Sequence, residues 1–143
     1  MTLNLFTDYS LRVLMYAALP DRTRFSLDEV SNAYGISRDH VAKVVQRLVR
    51  AGYLASQRGR GGGICLARPA EEIRIGEIVR ETEGPSPLVE CFHPPTNQCR
   101  LSGHCQLQGV LAEALSAYRA VLDKYTLADL VSRPRNLMKI LAA

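Results

Sequence analysis

Residues 26–52 decide the fold, and they read SLDEVSNAYGISRDHVAKVVQRLVRAG. Ser26 is followed three positions later by Glu29, a capping box that predicts the start of a helix. The sequence GIS at 35–37 predicts a short turn at the end of that helix. A second helix is then expected over 38–51, with a glycine as its C-terminal stop. Two helices joined by a glycine-containing turn of about three residues are typical of a helix-turn-helix.

The second of these helices is amphipathic. Its apolar side is formed by Val41, Val44, Val45 and Leu48. The other side is polar and mostly basic, as expected of a recognition helix, whose N-terminal side chains reach base edges or phosphates in the major groove. The candidate DNA-binding residues here are Ser37, Arg38, His40 and Lys43. An αα-hairpin within a helical bundle would share this pattern, but the next segment argues against it.

The segment after the helix pair predicts a β-hairpin with a basic loop. Short strands are expected at 53–56 and 64–67, and the loop QRGRGGG joins them. A helix-turn-helix followed by such a hairpin is a winged helix. Arg58 and Arg60 of the loop can enter the minor groove, whose narrow width concentrates negative potential. The glycines lack the sequence context of a nucleotide-binding loop, so we do not expect a bound nucleotide.

Charge is distributed unevenly along the 143 residues. The first 80 residues carry 12 basic and 8 acidic side chains, whereas the remainder carries 6 of each. Such an excess is typical of a surface that binds a polyanion, and a solvated basic face would have the same composition, so charge alone leaves the two equally open. No apolar run approaches the roughly 20 residues of a membrane span, and no signal peptide is recognisable, so we expect a cytoplasmic protein. The absence of Cys-x-x-Cys, G-x-S-x-G and H-E-x-x-H argues against an enzyme.

A long C-terminal helix is predicted over 107–125. Apolar residues recur along it at alternating spacings of four and three, which is a heptad pattern. They are Leu107, Leu111, Ala114, Tyr118, Val121 and Tyr125. Such a helix favours packing against a second copy, with intramolecular packing as the alternative. A two-fold dimer would place two recognition helices one DNA turn apart, about 34–36 Å, and would bind a near-palindromic operator.

Three cysteines, Cys91, Cys99 and Cys105, lie within 15 residues of irregular sequence. Thiolates gathered in this way suit an iron–sulfur cluster, zinc or Cu(I), and the spacing alone leaves the cluster and zinc equally open. Free or disulfide-forming thiols are a third alternative. Three thiolates leave one position for another ligand. The candidates for that position are His93, His104 and Asp8.

The predicted fold class is mainly α, with a winged helix-turn-helix domain and a long C-terminal dimerisation helix. Residues 1–80 are assigned to the DNA-binding domain, 81–106 to the cysteine loop, and 107–143 to the dimerisation helix and tail. Within the first part, an initial helix capped by Thr7 or Asp8 is expected to precede the helix pair.

Several segments carry a family resemblance in combination. They are LFTDYSLR at 5–12, GISRDH at 35–40, RAGYL at 50–54, RGRGGGI at 58–64, IGEIVR at 75–80, the three loop cysteines, and YTLADLV at 125–131. With these segments spread over nearly its whole length, the chain resembles the winged-helix iron–sulfur repressors, and within them the branch that senses nitric oxide.

The resemblance implies a homodimeric transcriptional repressor that controls nitric-oxide detoxification genes. Nitrosylation or loss of an iron–sulfur cluster, 2Fe–2S or 4Fe–4S, would release operator DNA. By similarity, Cys91, Cys99 and Cys105 are the cluster ligands, and the fourth is Asp8 of the partner subunit. The related regulators of cluster status, the IscR type, use a histidine where this chain has Gln108. That type remains the alternative, together with a zinc- or thiol-based DNA-binding regulator.

Overall fold

The computed structural model describes residues 2–20, 22–57, 59, 61–84 and 87–141. Within these residues the chain is mostly helical, with one two-stranded sheet. The elements are α1 (Leu5–Ala17), α2 (Leu27–Tyr34), α3 (Arg38–Arg50), β1 (Leu54–Gln57), β2 (Gly63–Leu66), α4 (Ile75–Glu83), α5 (Gln106–Lys124), α6 (Leu127–Leu130) and α7 (Pro134–Leu141). This order confirms the predicted fold class, a winged helix followed by a long C-terminal helix.

Helix α1 begins earlier than the sequence predicts. The prediction of Thr7 or Asp8 as its cap is wrong, because the Asn4 side chain accepts the Thr7 N–H at 2.7 Å and starts the helix. Asn4 is itself held by the end of α4. Its backbone N–H donates to Glu83 Oε1 at 2.8 Å, and its side-chain amide donates to the Thr82 carbonyl at 3.3 Å.

Helices α2 and α3 form the predicted helix-turn-helix. Ser26 Oγ accepts the Glu29 N–H at 3.3 Å, and Glu29 Oε2 accepts the Ser26 N–H at 2.7 Å, which confirms the capping box. Gly35 has a φ of 63°, the left-handed conformation that turns the chain sharply into α3. The apolar side of α3 is buried in the core, and Val41 and Leu48 are fully inaccessible. Its polar side is left to solvent.

The hairpin forms an antiparallel sheet within one residue of the predicted strands. Its register pairs Leu54 with Leu66 and Gln57 with Gly63. A third short segment joins the free edge of β2 at Phe25. The Phe25 N–H donates to the Ile64 carbonyl at 2.9 Å, and the Ile64 N–H donates to the Phe25 carbonyl at 2.8 Å. Both side chains are buried, so the stem of the wing is anchored in the core.

The chain returns to the winged helix after α5. The Ile75 N–H donates to the Tyr125 carbonyl at 3.0 Å, and the Leu127 N–H donates to the Ile73 carbonyl at 2.8 Å. Leu127 is fully buried in the core. Helix α5 itself packs along α4 and contains no buried residue. No helix in the described part of the chain is long and apolar enough to cross a membrane.

Candidate DNA interface and cysteine loop

The polar face of α3 presents all four of its predicted DNA-binding residues to solvent. Ser37 caps the helix, since its Oγ accepts the His40 N–H at 3.4 Å. The same hydroxyl lies 3.0 Å from His40 Nδ1, which orients the imidazole ring. Lys43, about one turn further on, takes part in none of the ion pairs formed by the described residues. Its ammonium group is therefore accessible to a phosphate.

Arg38 is paired with an acidic residue at the surface. Its Nε lies 2.8 Å from Asp28 Oδ1 on α2, and the two side chains are 60% and 65% exposed. An ion pair exposed to this degree contributes about 0–1 kcal/mol to stability. A DNA phosphate can therefore replace the carboxylate at little cost.

The recognition helix is braced by two neighbouring helices. The His40 ring lies 6.0 Å from the Tyr9 ring of α1, measured between centroids. At the other end of α3, Arg47 Nη2 lies 2.7 Å from Glu81 Oε1 of α4. The placement of α3 therefore follows the placement of both α1 and α4.

The wing loop is described at Gly59 and at residues 61–62. Arg58 and Arg60 lie outside the described residues, so their contacts with DNA stay predictions. Gly59 and Gly61 have φ values of 98° and 77°, which side chains other than glycine rarely tolerate. The Gly62 N–H donates to the Gly59 carbonyl at 2.9 Å, which closes a tight turn.

The three candidate metal-binding cysteines lie in the connection between α4 and α5. Cys91 belongs to a single-turn helix, Glu90–Phe92. Cys99 follows a second such turn, Pro94–Thr96, and Cys105 directly precedes α5. All three are free thiols and partly exposed.

Local hydrogen bonds shape this loop. Asn97 Oδ1 accepts the Cys99 N–H at 3.0 Å, and its amide donates to Ser102 Oγ at 2.7 Å. In the part of the chain that the structure describes, no three His, Cys, Asp or Glu side chains are arranged to hold a metal ion. The structure thus does not bring the predicted ligands together within one chain. The donor set, three free thiols in an irregular segment, fits a thiolate-bound cluster or zinc.

The candidate fourth ligands have different surroundings. Asp8 on α1 is 38% exposed and is bound by Arg12, with Nη2 to Oδ2 at 2.8 Å and Nε to Oδ1 at 3.2 Å. His93 Nδ1 lies 2.9 Å from Thr96 Oγ1. His104 is exposed. The carboxylate of Asp8 is thus already paired with the guanidinium group of Arg12. A metal centre would have to displace that guanidinium group to bind Asp8.

The cysteine loop also reaches the contact between α4 and α5. A groove of about 590 Å³ runs between these helices, and Phe92 and His93 of the loop form part of its wall. The floor is apolar and includes Val79 of α4 together with Leu115 and Leu122 of α5. A change in the loop therefore acts directly on the packing of these two helices.

Helix α5 carries two apolar stripes. One is half-buried and includes Leu111, Leu115, Tyr118 and Leu122. The other, which we call the exposed stripe, faces solvent and consists of Leu107, Val110, Ala114, Ala117 and Val121. The heptad pattern of the sequence mixes the two stripes, because it includes Leu111 and Tyr118 and omits Val110 and Ala117. Counting spacings of three and four from Leu107 through Val110 would have found the exposed stripe.

Comparisons with known proteins show what this chain resembles in sequence and in fold. The family model Rrf2, described as "Iron-dependent Transcriptional regulator", matches residues 3–133. A protein of Bacillus subtilis (strain 168) named HTH-type transcriptional regulator NsrR is 49% identical over 142 residues, which cover 99% of this chain and 97% of the relative. The structure of CymR, the global cysteine regulator of B. subtilis, is 27% identical with a TM-score of 0.76 and covers 92% of this chain and 97% of its own. T. potens IscR shares the fold at 23% identity and a TM-score of 0.74, over 92% of this chain and 87% of its own.

Proposed function

This chain belongs to the Rrf2 family of transcriptional regulators, and we propose that it is a homodimeric repressor that senses nitric oxide through an iron–sulfur cluster. As a family member it is a DNA-binding transcriptional regulator and not an enzyme. One observation supports the finer proposal above the others. Three free, partly exposed thiols occupy the connection between the DNA-binding unit and the helix with the exposed stripe. The iron in the family description and the relative named NsrR point the same way.

The ligands of the cluster are proposed to be the three loop cysteines and Asp8 of the partner subunit. Soft thiolates are the ordinary ligands of iron–sulfur clusters. A carboxylate as the fourth ligand leaves a more reactive iron than a fourth thiolate, which suits a sensor. To take this role, Asp8 must leave Arg12, with which it forms an exposed and therefore weak pair.

The response to the signal follows from what the loop touches. When bound, the cluster supplies iron that reacts with nitric oxide. Release of the thiols leaves Phe92 and His93 free to move in the groove beside α4. Helix α4 packs against α1, and α1 packs against the recognition helix, so a shift of α4 displaces the DNA-reading surface. A coupling of about 1–3 kcal/mol would lower DNA affinity about 5–150-fold.

The proposed dimer forms through the exposed stripe of α5. It places two recognition helices about 34–36 Å apart, which matches one turn of DNA and a near-palindromic operator. In each protomer, Ser37, Arg38, His40 and Lys43 are assigned to the major groove and Arg58 and Arg60 to the minor groove. Nitric-oxide detoxification genes are the proposed targets, because the product of derepression would then remove the signal.

The test compares two cysteine variants purified without oxygen. We expect the unsubstituted protein and Cys65→Ser to contain iron and absorb visible light, because Cys65 lies in β2 outside the loop. Cys99→Ser should lose both properties. A nitric-oxide donor should release operator DNA from the first two proteins. Bound zinc without visible absorbance would contradict the cluster, and a cluster-dependent but nitric-oxide-insensitive regulator would contradict the proposed signal.

The role of Asp8 has its own matched control. Asp28 is also an exposed carboxylate paired with an arginine, at 2.8 Å from Arg38. We expect Asp8→Ala to change the visible spectrum and to speed cluster loss in air, whereas Asp28→Ala should leave both unchanged. Equal spectra and equal lifetimes in the two variants would remove Asp8 from the ligand set without affecting the cysteine assignment.

A further inference from the structure

The short segment before α2 places an arginine at the stem of the wing. Phe25 and Ile64 exchange two backbone hydrogen bonds, so Phe25 lies directly beside β2. Phe25 is 2% exposed and points into the core. Arg24 directly precedes Phe25 in a bend of the chain, and it is exposed.

Gly63 shows where the side chain of Arg24 begins. A Cβ added to Gly63 would lie 3.2 Å from the Cβ of Arg24 and 3.3 Å from the Phe25 carbonyl oxygen. Arg24 therefore leaves the backbone directly beside the residue at which the wing loop joins β2. The aliphatic part of an arginine can lie along such a surface while its guanidinium stays in water. The positive charge of Arg24 is thus carried at the base of the wing.

A nearby arginine behaves differently. The guanidinium of Arg22 lies 4.1 Å from the centroid of the Tyr16 ring, and its Nη1 donates to Glu29 Oε1 at 3.3 Å. Arg22 is therefore used within the protein. Arg24 takes part in none of the ion pairs or cation–π contacts found between described residues. Of these two arginines, Arg24 is the one positioned for an external anion.

We propose that Arg24 binds a phosphate of the DNA backbone beside the groove that the wing loop enters. The guanidinium group matches the geometry of phosphate oxygens. A phosphate contact fixes the position of the protein on DNA and carries no sequence information of its own. The inference rests on the DNA-binding function above and adds a contact that basic residues of the loop and of α3 do not supply. The wing then contributes an arginine from its stem as well as two from its loop.

The test measures salt dependence on DNA of arbitrary sequence, which a phosphate contact does not distinguish from an operator. Arg24→Gln and Arg22→Gln remove the same charge two residues apart. Each is titrated by fluorescence anisotropy against a mixed-sequence duplex of about three helical turns at several salt concentrations. We expect Arg24→Gln to reduce the slope of log K against log salt by about 0.9 for each protomer that binds, and Arg22→Gln to leave the slope unchanged. Chemical unfolding of both variants separates these slopes from losses of stability.

Three results would contradict the proposal. An unchanged slope for Arg24→Gln, with normal binding by the unsubstituted protein, would show that Arg24 does not touch phosphate. Equal reductions in both variants would assign the effect to overall charge. An unsubstituted protein without salt-dependent DNA affinity would overturn both this proposal and the function on which it rests.

Discussion

Helices α3 and α5 are both amphipathic, but they differ in burial. The chain buries the apolar side of α3, whereas it covers only one of the two apolar stripes of α5. Helix α3 has four buried apolar side chains, Val41, Val44, Val45 and Leu48, each at most 6% exposed. Helix α5 is longer, with 19 residues, and buries none. The first is enclosed by α1, α2 and β1, whereas the second has α4 on one side and solvent on the exposed stripe. Helix α3 thus has its apolar side fully packed, whereas α5, in the region proposed to sense and dimerise, keeps apolar surface exposed in the single chain.

The comparison is tested most strongly by removing one leucine from each helix. Leu48→Ala should lower the free energy of unfolding by about 2–5 kcal/mol, because the side chain is fully buried. Leu107 is 61% exposed in the single chain, so Leu107→Ala should stay within about 0.5 kcal/mol of the unsubstituted protein at concentrations where the chain is monomeric, and should cost more where the proposed dimer forms. Urea unfolding at several protein concentrations measures both values. An effect of Leu107→Ala that stays near zero at every concentration, while the protein forms dimers, would contradict burial of the exposed stripe by a second copy.

A charged residue in the exposed stripe gives the next largest effect. Val121→Asp should weaken the proposed dimer by about 2–3 kcal/mol, roughly 30–150-fold, since a carboxylate would be desolvated without a partner. Ala112→Asp is the matched control, because Ala112 is exposed on a different side of the same helix. Sedimentation equilibrium measures the monomer–dimer constant of each variant. Dimers of equal strength would place the interface elsewhere.

Alanine substitutions at two glycines compare the covered and uncovered sides of α5. A Cβ at Gly76 of α4 would overlap the carboxylate of Asp123 of α5 and displace it from its exposed ion pair with Arg80, so Gly76→Ala should cost about 0.5–1 kcal/mol of stability. At Gly109 nothing lies within 4 Å of an added Cβ. Gly109→Ala should therefore stabilise the helix by about 0.5–1 kcal/mol. Thermal and urea unfolding will show opposite signs; destabilisation by Gly109→Ala would indicate that this position is also covered.

The smallest expected effect is a loss of stability at alkaline pH, and it concerns Tyr34 in the DNA-binding unit. Burial raises the pKa of Tyr34 from 10.0 to about 12. Its phenol is therefore harder to ionise when folded, so the contribution of Tyr34 to stability is fully present below pH 10 and is lost as the pH rises from 10 to about 12. Tyr34→Phe should flatten this part of the stability curve, with a residual slope because burial also raises the pKa of Tyr16 and Tyr53. A variant curve parallel to that of the unsubstituted protein would contradict the assignment.

The parts of the fold that the sequence predicts are those set by neighbouring residues. Ser26 and Glu29 act across three positions, Gly35 turns the chain through its own φ, and the glycines of the wing loop leave few alternatives. The start of α1 was mispredicted because Asn4 is chosen over Thr7 by contacts with residues 82–83 near the other end of the DNA-binding unit. Such long-range contacts leave no local pattern.

The candidate site likewise combines features that the local sequence predicts with features that depend on contacts between distant parts of the chain. The exposed face of α3 follows from its own periodicity, whereas the exposed stripe of α5 depends on which side α4 covers. The position of Arg24 depends on the pairing of Phe25 with Ile64, which lies 39 residues further along the chain. The cysteine spacing predicts a metal centre, but the described residues of one chain do not bring its predicted ligands together.

The hydrogen bonds of residues 73–75 with residues 125–127 hold the C-terminal end of α5 to the winged helix. The cysteine loop joins the opposite end of this helix, about 28 Å away at about 1.5 Å per residue. A displacement of the cysteine loop at Cys105 would therefore act on one end of α5, while hydrogen bonds at the other end hold the helix to the winged helix.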